Sequence, residues 1–290
     1  MGDSAAPRRR GAGDGPVRGR AVWTRVDGIG GRALDLLHAR IPRRHYAPHA
    51  HEEFAIGVCT DGVEVIRCHR ELHYVRPGDV VIIEPGEPHT GGPAVATGFA
   101  YRALYPGVAL LADGSVGRPD FATPVVEDPW LADALRGLHT TLEEGTEPLD
   151  GECRLAWLLA TLVRRHASTR RPLDADRAVG PVARGVVTRL ADEMTSPPTL
   201  TEIATDLGLS RYQVLRAFRN EMGMPPYAWL AQHRVARARL LIEAGHRPAA
   251  AAAMVGFADQ AHLTRWFQRV LGVTPGVYRN SVQDSVPRHL

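Results

Sequence analysis

Lysine is absent from this 290-residue chain, whose 35 basic side chains are all arginine. Set beside its many alanines and its 29 glycines, that suggests a high-GC bacterial genome. Cysteine is scarce. Cys59, Cys68 and Cys153 show no CxxC spacing and leave an odd residue over, which suits a reducing cytoplasm better than a disulfide scaffold. No apolar run approaches the ~20 residues that a membrane span needs, so no membrane partner is expected. Residues 1–20 carry arginine, glycine and proline but no apolar stretch, so they do not read as a secretory signal. Without periodicity they read as a disordered arm, either an inert tail or a basic strap that touches DNA or the next domain.

What is present is ordinary in bulk and uneven in distribution. An apolar content of 44% with 23% charged residues is that of a globular protein, and the length predicts about two domains. Residues 181–280 hold 12 arginines against 7 acidic residues, whereas residues 21–180 hold 17 against 22. The basic part of the chain is the part that phosphate binding would use.

That part has a repeated pattern. In LTEIATDLGLSRYQVLRAFRNEMG, from Leu200, Ile203, Ala204 and Leu207 form an apolar face at helical spacing. Gly208 and Leu209 supply a turn, and Ser210 is placed to cap a helix over Arg211 to Met222. Val214, Leu215 and Phe218 point inward on it, while Arg211, Tyr212, Gln213, Arg216 and Arg219 face out. The pattern recurs after Gly245. A small-residue helix (Ala249 to Met254) leads to a turn at Gly256 and Phe257, and Asp259 caps a second helix with Leu263, Phe267 and Val270 inward and Gln260, His262, Arg265 and Arg269 outward. Between them YAWLAQHRVARARLLIEA reads as one long helix, with Trp229, Leu230, Val235, Leu240 and Leu241 on its buried side. Two helix–turn–helix units with basic, hydrogen-bonding outer faces suit the major groove of double-stranded DNA.

LGLSRYQVLRAFRNEMGMPPYAWLAQHRVARARLLIEAG and VGFADQAHLTRWFQRVLGVTPGVYR together resemble the DNA-binding domain of the AraC/XylS family of bacterial transcription regulators. The resemblance implies an all-α domain over 181–282, with two recognition helices held about 34 Å apart by the long helix. It implies DNA contacts from Arg211, Tyr212, Gln213 and Arg216 on the first recognition helix and from Gln260, His262 and Arg265 on the second. Arg216 and Arg265 would meet bases or flanking phosphates, since arginine pairs bidentately with guanine. Gln213 and Gln260 either read adenine or are solvated.

Upstream, from Ala21 to Pro106, short β-like segments such as FAIGVCT, VEVIRC and DVVIIEP are broken by Asp61-Gly62, Pro77-Gly78 and Pro85-Gly86, the pattern of an antiparallel barrel or jelly roll. PHAHEEF sets His49 and His51 two apart, on one face of a strand, and GDVVIIEPGEPH sets His89 after a Pro-Gly turn. These words resemble the two motifs of the cupin fold and the sensor domain of many AraC-type regulators. The resemblance implies an α+β chain with a cupin-like barrel over about 21–106. His49, His51, Glu53 and His89 become candidates for binding a small-molecule effector. The three histidines could instead hold a metal or be structural; Ala55 and Ile56 stand where metal cupins carry a glutamate, so no metal or other cofactor is expected. Cys59 and Cys68 read as buried thiols, and Tyr101 and Arg102 must face opposite ways on their strand.

From Glu127 the period becomes helical. Leu131, Leu135, Leu138 and Leu142, then Leu155, Leu158, Leu159 and Leu162, mark two amphipathic helices over about 127–167. They would either mediate a homodimer, as the resemblance implies, or pack on the barrel, completing a first domain over 21–167. Residues 168–180 read as an interdomain linker. The expected protein is a cytoplasmic, effector-controlled transcription regulator, an activator that could touch RNA polymerase, and not an enzyme. Against it stand a metal-dependent cupin enzyme with an accessory DNA-binding domain and an effector-independent architectural DNA binder.

Overall fold

The computed structural model describes residues 19–283 apart from 30–31, 70, 112–116, 146–147 and 172–179. Most of the expected arm over 1–20, and residues 172–179 of the expected linker, therefore lie outside the described residues. Eight strands come first: β1 (Arg20–Ile29), β2 (Arg32–Ile41), β3 (Ala55–Gly62), β4 (Glu64–Cys68), β5 (Glu71–Val75), β6 (Asp79–Ile83), β7 (His89–Pro93) and β8 (Phe99–Tyr105). After them come α1 (Val108–Leu111), β9 (Arg118–Phe121), β10 (Val125–Glu127), α2 (Pro129–Glu144), α3 (Pro148–His166) and β11 (Ala167–Arg171). The rest is helical: α4 (Pro181–Asp192), α5 (Leu200–Asp206), α6 (Arg211–Met222), α7 (Pro226–Glu243), α8 (Pro248–Met254), α9 (Gln260–Leu271) and α10 (Pro275–Gln283). The fold is α+β: a β-rich first half followed by a helical second half with two helix–turn–helix units.

A six-stranded sheet in the order β1-β2-β8-β3-β6-β10 and a three-stranded sheet β5-β4-β7 build the barrel. Alternation along the strands gives the large sheet two apolar faces. Ile56, Val58, Val80, Ile82 and Leu104 lie in the core under α2 and α3, with Leu131, Leu135, Leu138, Leu155, Leu158, Leu159 and Leu162. Each such side chain removed from water contributes roughly 1.5–3 kcal/mol before entropy is counted. The leucine stripes of both helices are thus spent on the sheet.

Their alternates Ala55, Cys59, Ile83, Ala103 and Tyr105 face the barrel interior, where the core continues without a break into α7–α10. The first helix–turn–helix has a core of its own: Ala183, Val186, Leu190, Ile203, Ala204, Val214, Phe218 and Leu230.

Several expectations need correction. The segment bearing His49 and His51 is not a strand; only His49 forms an isolated antiparallel bridge, with His89, and strand β3 starts at Ala55. Residues 168–171, expected in the linker, are strand β11, paired with β9. Strand β10 adds an edge to the large sheet beyond the expected barrel limit by pairing with β6. Leu240, expected to be buried on the long helix, is 44% exposed because Val235, Ala238 and Ile242 fill the inward face.

Candidate effector cavity and nucleic-acid interface

Inside the barrel lies a cavity of about 70 Å3 lined, among others, by Trp23, Tyr46, His49, His51, Glu64, His89, Tyr101 and Tyr105. All three sequence-predicted histidines meet there. Rings of His49 and His51 are 4.9 Å apart, those of His49 and His89 4.3 Å, and those of His51 and His89 5.1 Å. Backbone hydrogen bonds of 2.9 Å in both directions between His49 and His89 hold the loop before β3 against the start of β7. Burial keeps the trio neutral: His49 is pushed down to about 4, and His51 and His89 lie well below the usual imidazole range. His49 Nδ1 and His89 Nδ1 are each 2.9 Å from a backbone carbonyl oxygen, of Ala47 and Glu87, to which an N–H there donates. That arrangement leaves each Nε2 as an acceptor or ligand.

Glu53, expected beside the histidines, is not among the residues lining the cavity. Its carboxylate pairs with Arg239 of α7, and Arg239 also faces Asp35 at 3.8 Å and Glu243 at 3.5 Å. Arg25 of β1 pairs with Glu243 at 2.8 Å, and Tyr278 donates to the same carboxylate at 2.6 Å. This charge network joins the barrel to α7 and α10, and no local sequence pattern announces it.

Sequence reading also missed the carboxyl that does line the cavity. Glu64 opens β4 and is only 9% exposed. Burial alone pushes its carboxyl up to about 8. Around it stand Tyr46, Tyr101 and Tyr105, all held above the ordinary phenol range by burial first; neighbouring tyrosines raise Tyr101 and Tyr105 further, whereas the hydrogen bond with Tyr101 pulls Tyr46 back. The Tyr46 and Tyr101 hydroxyls are 3.5 Å apart. Alternation resolves the Tyr101–Arg102 pair: Tyr101 lines the cavity, while Arg102 on the opposite face bonds Glu143 of α2 at 2.5 Å and lies 3.0 Å from His139 Nδ1. Cys59 and Cys68 are buried as expected, and burial pushes the Cys59 thiol up to about 12.

The cavity wall is completed from the other half of the molecule. Val270 of α9 lines it. Trp23 Nε1 donates to the carbonyl of Leu271 at 3.0 Å, and the Arg44 guanidinium bonds the carbonyl of Gln268. A β-carbon at Gly272 would come within 3.1 Å of the Tyr46 hydroxyl, so the left-handed cap of α9 doubles as a close contact. Gln232 of α7 donates to Pro48 O and accepts from Ala50 N at 3.3 Å, gripping the loop on both sides of His49.

The C-terminal ends of both recognition helices thus touch the barrel, since a β-carbon at Gly223 would lie 3.1 Å from Pro88. Their N-terminal halves stay outside. On α6, Arg211, Tyr212, Gln213 and Arg216 are exposed, Tyr212 at 71%. On α9, Gln260 and Arg265 are exposed, while His262 is half-buried with its ring edge-on to Phe257 at 5.0 Å. Arg211, Arg216 and Arg265 make no hydrogen bond or ion pair with the described residues, as groups kept for an external partner would. Gln213 is committed differently. It forms a capping box with Ser210, accepting from Ser210 N at 2.9 Å and Ser210 Oγ at 2.8 Å. Asp259 caps α9 by accepting from His262 N at 2.6 Å.

Comparison with known proteins agrees with both halves. Residues 33–159 match the family described as AraC-like ligand binding domain, and residues 203–281 match the helix-turn-helix domain family. An uncharacterized HTH-type transcriptional regulator, YbfI of Bacillus subtilis, is 28% identical over 221 residues, covering 74% of this chain and 80% of that protein. The arabinose operon regulatory protein of Escherichia coli is 24% identical over 254 residues, 80% of this chain and 82% of the relative. ToxT of Vibrio cholerae, in a crystal structure with unsaturated fatty acid bound, shares the fold with a TM-score of 0.53 at 10% identity, covering 94% of this chain and 99% of that one. Among the described residues no helix is long and apolar enough to cross a membrane.

Proposed function

The chain belongs to the AraC/XylS family of transcription regulators, and from that premise we propose that the barrel cavity is its effector site and that occupancy is passed to DNA directly through α9. The observation that carries this reading is that Val270, on the second recognition helix, forms part of the cavity wall. An effector that changes the space beside Val270 changes the seating of the helix that carries Arg265. Whichever arrangement the effector prefers is then the one populated, and DNA affinity shifts by the difference. His49, His51 and His89 supply hydrogen bonds to the effector. Arg211, Tyr212, Arg216, Gln260 and Arg265 meet the DNA, and Gln213 serves the helix cap.

The same reading makes the chain a cytoplasmic regulator rather than an enzyme, an activator that contacts RNA polymerase and works as a homodimer. The outward sides of α2 and α3 support the dimer: Trp130 and Trp157 are 44% and 56% exposed and pack edge to face at 5.3 Å. Residues 1–20 act as an arm, 21–167 as the sensor, 172–180 as the link and 181–282 as the DNA-binding domain.

The test fills the cavity. Compounds that raise the melting temperature of the wild type and alter its affinity for its own upstream DNA should lose both effects in Val270→Trp. Compounds that keep both effects in the variant would show that the effector binds elsewhere.

A second reading rests on the histidines. Their ligand atoms lie within 4.8 Å of one another, and two rings are oriented by backbone carbonyls as metal-binding histidines are. His49, His51 and His89 would hold a divalent metal, which would supply a Lewis acid to the cavity. Metal analysis of purified protein tests this: stoichiometric iron or manganese, lost in His89→Ala, favours it and reopens an enzymatic role.

A further inference from the structure

Glu64 is the least expected residue of the cavity. It is 9% exposed, lines the cavity, and makes no hydrogen bond or ion pair among the described residues. A buried carboxyl with nothing to bind is costly, and natural proteins keep one where something else completes it. Its position is sterically defined as well. A β-carbon at Gly91 would lie 2.6 Å from Glu64 Oε1, so the strand opposite carries glycine where the carboxyl needs the room.

The surroundings point to the charge of the missing partner. Four aromatic rings stand in the walls: Trp23 and Tyr105 pack at 5.0 Å, and Tyr46 and Tyr101 meet at their hydroxyls. The electrostatic reach of Glu64 falls on Tyr46, Tyr101, Tyr105 and Cys59, all of which stay protonated. One of these rings already accepts a cation, since the Arg44 guanidinium lies 5.9 Å from the Tyr46 centroid. No positive charge competes from inside. No arginine stands among the residues that line the cavity, and Arg239 of α7 is committed to Glu53, Asp35 and Glu243. Burial alone holds Glu64 largely protonated at neutral pH; a bound cation would displace that proton to solvent and gain both a counter-ion and aromatic faces. The cavity's volume of about 70 Å3 restricts the ligand to a few heavy atoms.

Resting on the reading of the barrel as the effector site, we propose that the effector is a small organic cation, an amine or quaternary ammonium, seated on Glu64 among the rings of Trp23, Tyr46, Tyr101 and Tyr105.

The test uses calorimetry and thermal shift on the full chain with tetramethylammonium and with tert-butanol, its uncharged counterpart of similar size. The cation should bind the wild type more tightly than the alcohol and raise its melting temperature. Glu64→Gln should weaken the cation on the order of tenfold and leave the alcohol unchanged. Tyr101→Leu, a second variant that keeps the carboxyl, should also weaken the cation. Equal binding of the two probes, or a Glu64→Gln protein that binds the cation as the wild type does, overturns the cation assignment while leaving the barrel as an effector site. If neither probe binds, the cation assignment falls. The effector reading is judged separately, by whether Val270→Trp abolishes stabilisation by other compounds.

Discussion

The two helix–turn–helix units look alike in sequence and are held differently. The first has a private core that includes no barrel residue among those described, and a cleft of about 800 Å3 lies between its α4 and α6 and the barrel. The second shares one continuous core with the barrel interior; Trp23 and Arg44 tie down α9 by side-chain bonds, and Gln232 and Arg239 anchor the α7 helix that leads into it. One reading head keeps its own core and meets the barrel at the cap of α6; the other is an extension of the sensor. On the proposed reading, such a regulator keeps one DNA contact constant and makes the other conditional, because among the described residues of the two recognition helices it is Val270 of α9 that lines the cavity.

The sharpest way to break this comparison is Trp23→Ala. Removing a ring that packs on Tyr105 and Tyr278 and bonds Leu271 O should cost about 3–5 kcal/mol in urea unfolding. Hydrogen exchange should then show α9 losing protection while α6 keeps it. Equal loss in both helices would mean that the two units are held alike.

Acid should divide the units next. His49 and His139 each titrate near 4 in the folded chain, against the ordinary 6.5. Below pH 6.5 the unfolded chain takes up protons that the folded chain refuses until about 4, so stability falls as pH drops through that window. The loss should be roughly 2 kcal/mol per histidine at pH 5. Both lie in the barrel or against it, so barrel and α9 signals should melt before those of α6. A pH-independent melting temperature between 7 and 5 would refute the buried, neutral state of the pair.

Smaller effects are expected at the DNA. Arg216→Ala and Arg265→Ala should each weaken binding by about 1–3 kcal/mol if they meet base edges, read by fluorescence anisotropy at fixed salt. Only the Arg265 contact should change its strength when the cavity is filled. Least of all is Gln213→Ala. As a capping residue it should cost about 0.5–1 kcal/mol of stability and leave sequence preference unchanged. A change in preferred base would return Gln213 to the readout.

Much of this architecture is written in local signals. Ser210, Asp259 and the apolar spacing of Val214, Phe218, Leu263 and Phe267 announce both recognition helices, because caps and helical periodicity act within a few residues. The leucine stripes of α2 and α3 and the alternation of β3 and β6 are equally plain, and so is the meeting of three histidines, though their segment proved to be a bridged loop and not a strand. The partnerships between distant residues are not written there. Glu53 and Arg239 are 186 residues apart, and Trp23 and Leu271 are 248 apart. Neither member of either pair carries a mark of the other. Glu64 looks like any solvated strand acid until β7 and β8 close over it, and Val270 looks like any core valine until the barrel is placed beneath it. Periodicity and capping are properties of neighbouring residues, so they can be read along the chain. Burial of a charge and completion of a cavity depend on what packs from the other side, and only the assembled fold supplies that.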